Sequence, residues 1–205
     1  MRLHALYSAR GPGCGLAWRI LLFLFLPIVW AVANGDESVR KLDFSRAPDA
    51  KDLEERARQI GNEMYPKVVE LLADGKTKLP RQFDIVFRKN LSRPGELEFP
   101  AGYVRGSRGT TIYLDAELIA ADPRMLDRLL VHEMTHVAQR YSVRVPGYWR
   151  EGIAEYVCYK LGMDGTNCPI CDWGSWHYRS GYSCAAAFLV FLEKSYGSKI
   201  GRAHV

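Results

Sequence analysis

Two short stretches of this chain have patterns typical of β-strands. In the first, FDIVF (Phe83–Phe87), hydrophobic and polar positions alternate as in a half-buried strand, and the second, TTIYL (Thr110–Leu114), is rich in β-branched and aromatic residues. The proline- and glycine-containing segment between them predicts a loop and a hairpin. One pair of strands followed by helices favours an α+β fold with a small antiparallel sheet.

Before these strands, hydrophobic residues recur at helical spacing after a polar stretch. Asp49 is expected to cap a helix whose apolar face carries Leu53, Ala57, Ile60 and Met64. Pro66 then either kinks this helix or begins a second one that ends at Gly75.

Helical spacing returns after the second strand. Asp122 and Pro123 predict a helix start, with a cap followed by proline at the first position. Its buried face is predicted to carry Met125, Leu126, Leu129 and Leu130. The sequence VPGY at 145–148 ends this helix, and two further helices are predicted at about 150–161 and at 182–196.

The first 33 residues have the pattern of a signal peptide. Arg2 and Arg10 precede an apolar run of 14 residues, Ile20–Ala33, which is short for a membrane span. Ala31 and Ala33 supply the small residues that a signal peptidase requires, so cleavage after Ala33 is predicted. An uncleaved anchor is the alternative.

The remaining chain divides into three segments by composition. Residues 34–50 are polar and predict a linker, and residues 51–199 predict a single folded domain. The last six residues, IGRAHV (200–205), resemble a translated sequencing adapter. We therefore expect the native sequence to be interrupted near Lys199.

These segments change the interpretation of the charge. The formal net charge is +5, but residues 1–33 contribute three arginines and no acid, and the tail contributes Arg202. Without them 24 basic residues face 23 acidic ones, a balance of +1. No nucleic-acid partner and no stable membrane association after signal cleavage are therefore expected.

The cysteines agree with export. Cys14 leaves with the signal peptide, and four remain: Cys158, Cys168, Cys171 and Cys184. An even number in a secreted chain favours two disulfides, with three connectivities left open. The pair in CPIC could instead bind zinc or act in redox chemistry, although no second pair matches it.

The sequence LLVHEMTHVAQRY (129–141) contains the strongest chemical signal. His132 and His136 are four apart, so on a helix both project from one face and can bind one metal ion. Glu133 is close enough to take a proton from water at that ion. This spacing is what metal-assisted peptide hydrolysis requires, and Zn2+ is the predicted metal.

The third ligand has two candidates. A metzincin would have glycine at 139 and histidine at 142, but the chain has Gln139 and Ser142, which excludes that class. The helix predicted next offers Glu151 and Glu155, four residues apart. Either one would complete the two-histidine, one-glutamate set of open catalytic zinc sites.

These motifs carry a family resemblance. The segments HEMTHVAQ, PGYWREGIAEYV and YRSGYSCAAAFLVFLEKSYG resemble the basic secretory protein family, within the gluzincin group of zinc peptidases. The resemblance covers about residues 48–199 and is densest from Leu114 onward. It implies a zincin-like fold, in which a small antiparallel sheet packs on the active-site helix.

The resemblance also implies site roles. It assigns Glu151 as the third zinc ligand and Glu155 as the carboxylate that orients a zinc-bound histidine, which agrees with their spacing. The 18 residues between His136 and Glu155 are the counter-argument, because some gluzincins have that interval before their ligand. Tyr182 is implied as a donor to the oxyanion. By analogy with zincins, the substrate would pair with an edge strand at Thr110–Leu114.

The expected function is that of a secreted zinc-dependent metallopeptidase acting on a peptide or protein substrate, with Glu133 as general base. An aminopeptidase shares these ligands, but no acidic anchor for a substrate amine is recognisable. The non-enzymatic alternative is a secreted zincin-fold defence or binding protein that keeps zinc for stability. Glu133 argues against that alternative, because a structural zinc needs no base.

Overall fold

The computed structural model describes residues 37–91, 101–106, 108–141, 143–163, 177–179 and 181–197. Four strands and five α-helices lie within this part of the chain. They are β1 (Val39–Arg46), α1 (Glu54–Leu72), β2 (Phe83–Arg88), β3 (Gly102–Val104), β4 (Thr111–Asp115), α2 (Ala116–Ala121), α3 (Met125–Ala138), α4 (Gly147–Lys160) and α5 (Tyr182–Tyr196). A 3₁₀ turn, Pro48–Leu53, precedes α1. The predicted α+β class is confirmed.

The sheet is mixed, so the expected antiparallel sheet is wrong. Its strand order is β1-β2-β4-β3; β1–β2 and β2–β4 are parallel, and only β3–β4 is antiparallel. The two predicted strands, β2 and β4, therefore run in the same direction. The long connection between them allows this, because parallel neighbours need a crossover rather than a tight turn. Their pairing buries Ile85 opposite Ile112 and Phe87 opposite Leu114.

Strand β1 lies inside the segment predicted to be a linker, residues 34–50, and corrects that prediction. Only Val39 and Phe44 of its eight residues are buried, so the strand lacks a hydrophobic signal. Phe44 stacks on Phe87 of β2, with ring centroids 4.6 Å apart. Pairing with β2 and this contact hold an otherwise polar edge strand in place.

Helix α1 is continuous through Pro66 and buries Ala57, Ile60, Tyr65, Val68 and Leu72. Neither a second start nor the predicted cap at Asp49 is observed, because Asp49 lies in the preceding 3₁₀ turn. The helix has no side-chain cap hydrogen bond at its start. Its stability comes from packing one face against the rest of the core, rather than from capping.

Helix α3 is central, because α1 and α4 both pack on it and it also touches β3 and β4. It begins at Met125, a little after the predicted start at Asp122, and buries Leu126, Leu130, Met134 and Val137. Asp122 does not cap it directly, but its carboxylate accepts a hydrogen bond from the backbone N–H of Arg124. Helix α4 begins three residues before the predicted position, and α5 agrees with its prediction.

The predicted signal peptide (1–33) and the adapter-like tail (200–205) lie outside the described residues. Within the described ranges, no helix is both long and apolar enough to cross a membrane.

Cys158 departs from the expected pairing of four cysteines in two disulfides. Its thiol is free and buried, and its Sγ lies 3.6 Å from the backbone oxygen of Arg128 on α3. Burial raises the pKa of this thiol. Cys184 is disulfide-bonded, whereas Cys168 and Cys171 lie outside the described residues. Cys158 is thus a packing residue between α3 and α4, which the count of cysteines cannot reveal.

Candidate metal centre

The two motif histidines lie on one face of α3, as their four-residue spacing predicts. His132 and His136 are largely buried, with side-chain exposures of 12% and 14%. Their Nε2 atoms are 3.2 Å apart. The neighbouring residues Val131, Met134 and Val137 are buried in the core, and their packing fixes the direction in which the histidine face of the helix points.

Glu151 of α4 completes the cluster. Its Oε2 atom lies 3.3 Å from Nε2 of His132 and 2.9 Å from Nε2 of His136. Arg150 holds the other oxygen, Oε1, at 3.2 Å, which turns Oε2 towards the histidines. These three residues form a group that could hold a metal ion.

Gln139 determines which nitrogen of His136 carries the proton. Its Nε2 donates to the backbone oxygen of Arg150 at 2.8 Å, and a carbonyl oxygen can only accept. Its Oε1 therefore faces Nδ1 of His136, at 2.9 Å, and accepts a hydrogen bond from the Nδ1–H group. In the neutral imidazole this leaves the lone pair on Nε2, the atom that faces Glu151.

Glu155 plays the corresponding part for His132. Its Oε1 lies 3.0 Å from Nδ1 of His132, an ion-pair distance, although the angle falls short of a strict hydrogen bond. Its other oxygen, Oε2, pairs with Arg128, one turn earlier on α3. Burial alone would raise the pKa of Glu155, but the contacts with His132 and Arg128 outweigh it and lower the pKa. The carboxylate is thus ionised and holds the proton on Nδ1.

The Nε2 atoms of both histidines and Oε2 of Glu151 face one another at 2.9 to 3.3 Å. Burial alone would lower the pKa of His132, but its contacts with Cys158, Glu151 and Glu155 outweigh burial and raise the pKa, so the cluster favours a positive charge. Zinc bonds of 2.0 to 2.2 Å in a tetrahedron place neighbouring ligands about 3.3 Å apart. The donor set and its spacing fit a zinc ion.

Glu133 lies beside this cluster without joining it. It is buried, with 4% of its surface exposed, and its Oε2 has no hydrogen-bond partner among the described residues. Burial is the main cause that raises the pKa of this carboxyl. A buried carboxylate oxygen without a hydrogen-bond partner destabilises a folded protein. The position of Glu133 therefore favours a role in binding a proton or a ligand.

Gly102 of β3 makes room for Glu133. A methyl group added at Gly102 would lie 3.2 Å from Cγ of Glu133 and 3.1 Å from Cδ2 of Leu114. The absence of a side chain at this position therefore allows the strand to approach the helix that carries the motif.

Glycine also sets the position of α4. A methyl group at Gly152, the residue after Glu151, would lie 2.3 Å from Cβ of Ala185 on α5. The two helices cross at this point, and α5 presses α4 into the position that directs Glu151 towards α3.

A cleft of about 980 Å³ opens onto the cluster. Its walls include the three donors, Glu133, Gln139, Glu155 and the first residue of α5, Tyr182. Tyr182 is 54% exposed and makes no hydrogen bond to the donors in the described part of the chain. Tyr141 also lines the cleft; its hydroxyl is buried without a described partner, and burial raises its pKa.

The edge strand next to α3 is β3, which corrects the expected edge at Thr110–Leu114. Strand β4 has β2 on one side and β3 on the other, so it offers no free edge. β3 is the outer strand, it contacts α3, and all three of its residues line the cleft. Its three residues lie in a segment whose composition predicts loop and hairpin.

The structure brings together every site residue predicted from the sequence except Tyr182, which only shares the cleft. Gln139 and Arg128 were not anticipated. Both are placed at helical distances from the histidines, Gln139 three residues after His136 and Arg128 four before His132. This spacing is the sequence signal for both residues, because it puts their polar side chains on the same helix face as the two histidines.

Comparison with known proteins adds nothing to these observations. The chain matches no family model, and neither curated proteins nor solved structures show significant similarity to it.

Proposed function

We propose that this chain is a secreted zinc-dependent metallopeptidase. One observation carries the proposal: the Nε2 atoms of His132 and His136 and Oε2 of Glu151 lie within 3.3 Å of one another, beside a buried Glu133 that has an unpartnered oxygen. Two histidines and one glutamate are the ligand set of open catalytic zinc sites, which leave one position for water or substrate. Secretion is supported by the signal-peptide pattern of residues 1–33.

Bound zinc would lower the pKa of a water molecule towards neutrality and polarise a substrate carbonyl. Glu133 would accept a proton from the attacking water and would later deliver it to the leaving amine. Its burial favours this cycle, because a raised pKa brings the carboxyl closer to the working pH.

The surrounding residues hold this arrangement. Glu155 and Gln139 orient the imidazoles through their Nδ1 atoms, and Arg150 orients Glu151. Tyr182 is proposed as the donor to the oxyanion that forms on the substrate, on the strength of its position in the cleft wall.

Glu133→Gln separates the enzyme from its non-catalytic alternative. We expect zinc content to stay at the wild-type level and peptidase activity on an unstructured protein substrate to fall at least about 100-fold, because the proton acceptor is lost. Glu55→Gln, an exposed glutamate on α1, is the matched control and should keep both properties. Undiminished proteolysis by Glu133→Gln at equal zinc content would end the proposed mechanism.

The zincin-fold defence or binding protein makes a different prediction for the wild type. Such a protein would bind zinc but would cleave no peptide bond above the level of Glu133→Gln. A panel of unstructured substrates, with products identified by mass spectrometry, distinguishes the two functions and shows whether cleavage is internal or N-terminal.

A further inference from the structure

A second cavity, of about 460 Å³, lies away from the metal centre and is lined by four cationic side chains: Lys78, Arg81, Arg108 and Arg140. We refer to it as the basic pocket. The four residues come from three separate segments, namely the α1–β2 connection, the turn between β3 and β4, and the residues after α3. The other lining residues, Thr77, Leu79 and Pro80, carry no charge.

The charges of the basic pocket are not neutralised by the described protein. None of the four cations forms an ion pair with a described acidic residue; Arg140 only donates weakly, over 3.5 Å, to the backbone oxygen of Gly109. Other cations in the fold have acidic partners, as Arg40 has Asp84 and Arg56 has Asp127. Four cations around one cavity thus lack the counter-charge found elsewhere.

The lack of nearby negative charge affects Arg140 most. It is half-buried, and burial together with the charge of Arg108 lowers its pKa. Its neighbour Tyr65 does not compensate, because burial raises the pKa of that hydroxyl and keeps it neutral. Like charges around a partly buried guanidinium are unfavourable unless an anion joins them.

The walls of the basic pocket are held by hydrogen bonds. The Tyr65 hydroxyl donates to the backbone oxygen of Pro80 at 2.9 Å. In the turn before it, the carboxylate of Asp74 accepts from the backbone N–H groups of Lys76 and Thr77 at 2.8 and 2.7 Å. These bonds order the backbone of the connection that carries Lys78 and Arg81, so the positions from which these side chains extend are set before a ligand binds.

We propose that the basic pocket binds a sulfate or phosphate group, either as the free ion or as part of a sulfated glycan. Guanidinium groups match the geometry of these oxyanions with paired hydrogen bonds, and two arginines from different segments can bind one anion from two sides. The basic pocket and the cleft at the metal centre have no lining residue in common, although Arg140 directly follows Gln139 in the sequence.

Binding is tested on the full chain by calorimetry with three probes: inorganic sulfate, inorganic phosphate and a sulfated oligosaccharide. We expect saturable binding by wild type, weakened roughly tenfold or more in Arg108→Gln/Arg140→Gln. Arg46→Gln removes one positive charge, as Arg108→Gln alone does, and is the matched control for that single variant; Arg46 is exposed, has no described partner and lies at the opposite end of the β1–β2 pair. It should change binding less than about twofold.

The probes separate the two sources. Binding of both ions supports a free-anion site, and binding of the oligosaccharide alone supports a glycan site. Absence of binding by all three probes, or equal weakening in Arg46→Gln and the double variant, would overturn the proposal. Arg108→Gln alone, at an exposed position, keeps the test decisive if the double variant folds poorly.

Stability without anions gives an independent readout. At low ionic strength the double variant should have a Tm equal to or above that of wild type, because like charges have been removed, and added salt should abolish the difference. A lower Tm for the double variant under these conditions would show that the cations serve the fold and would contradict the proposal.

Discussion

Gln139 connects one histidine to the helix that carries the third donor. It accepts from Nδ1 of His136 and donates to the backbone of Arg150, so one side chain sets both a tautomer and a helix position. His132 is oriented instead by the charged carboxylate of Glu155, which faces its Nδ1 atom. The two histidines are thus oriented by chemically different acceptors, and the carboxylate gives the more basic ligand.

The first residue-scale prediction concerns Gln139→Leu. Loss of the acceptor frees the His136 ring to adopt the other tautomer, so zinc affinity should fall about 10- to 100-fold. Competition with a chromophoric chelator measures this. Gln59→Leu, an exposed glutamine on α1, should leave zinc affinity unchanged, and a similar loss in both variants would exclude a specific role for Gln139.

The second residue-scale prediction concerns Gly102→Ala. The added methyl group crowds Cγ of Glu133 at 3.2 Å, so the carboxylate must shift by a few tenths of an ångström. We expect kcat to fall roughly tenfold with zinc affinity unchanged, because the displaced group acts on a proton and not on the metal. Loss of zinc with kcat per bound zinc preserved would show that Gly102 positions the ligands instead.

The sequence predicts the first half of the site better than the second. His132, Glu133 and His136 are placed by a spacing that any α-helix turns into one face, so the structure had little freedom to rearrange them. Glu151 and Glu155 could not be separated by spacing alone, because a four-residue interval puts both on the same face. The packing of α4 on α3 separates them, since it brings Glu151 to Nε2 atoms and Glu155 to Nδ1.

At the scale of the elements, the crossing of α4 and α5 positions the third donor. Gly152→Ala should destabilise the fold by about 2–3 kcal/mol, because the new methyl group meets Cβ of Ala185 at 2.3 Å. Zinc affinity should fall with it, since Glu151 precedes this residue. Chemical denaturation and chelator competition measure the two effects.

Two further variants make the test specific. Gly152→Ala/Ala185→Gly moves the methyl group from one helix to the other and should recover part of both losses. Gly147→Ala, on the same helix in open space, should change stability by less than about 0.5 kcal/mol. Failure of the double variant to recover zinc affinity would show that the crossing does not control Glu151.

Prediction of the elements succeeded where one face is strongly apolar. Helix α5 and strand β2 have continuous or alternating apolar residues, and their bounds agree with the sequence. Strand β1 buries only two of its eight residues, so its pairing with β2 has no hydrophobic signature. The direction of β4 depends on a crossover, which local periodicity does not encode.

At the scale of the whole molecule, the metal would connect elements distant in sequence. His132 and His136 lie on the central helix α3, and Glu151 lies on α4, so a bound ion ties these helices together. Removal of zinc by a chelator should lower the Tm. At zinc about 1,000 times above its Kd the loss is about 4 kcal/mol, or roughly 10 °C.

The control for that measurement is Glu151→Gln. Its Tm should be insensitive to zinc and to the chelator, because one donor is gone. An equal zinc-dependent rise in wild type and Glu151→Gln would mean that the metal stabilises the protein at another position.

The central claim is the division of roles between two glutamates, and zinc affinity of Glu151→Gln and Glu155→Gln in the full chain tests it most directly. Loss of a metal donor should weaken zinc binding more than 100-fold in Glu151→Gln, whereas loss of an orienting acceptor should weaken it about tenfold in Glu155→Gln. Full zinc affinity in Glu151→Gln together with loss of zinc in Glu155→Gln would contradict the account.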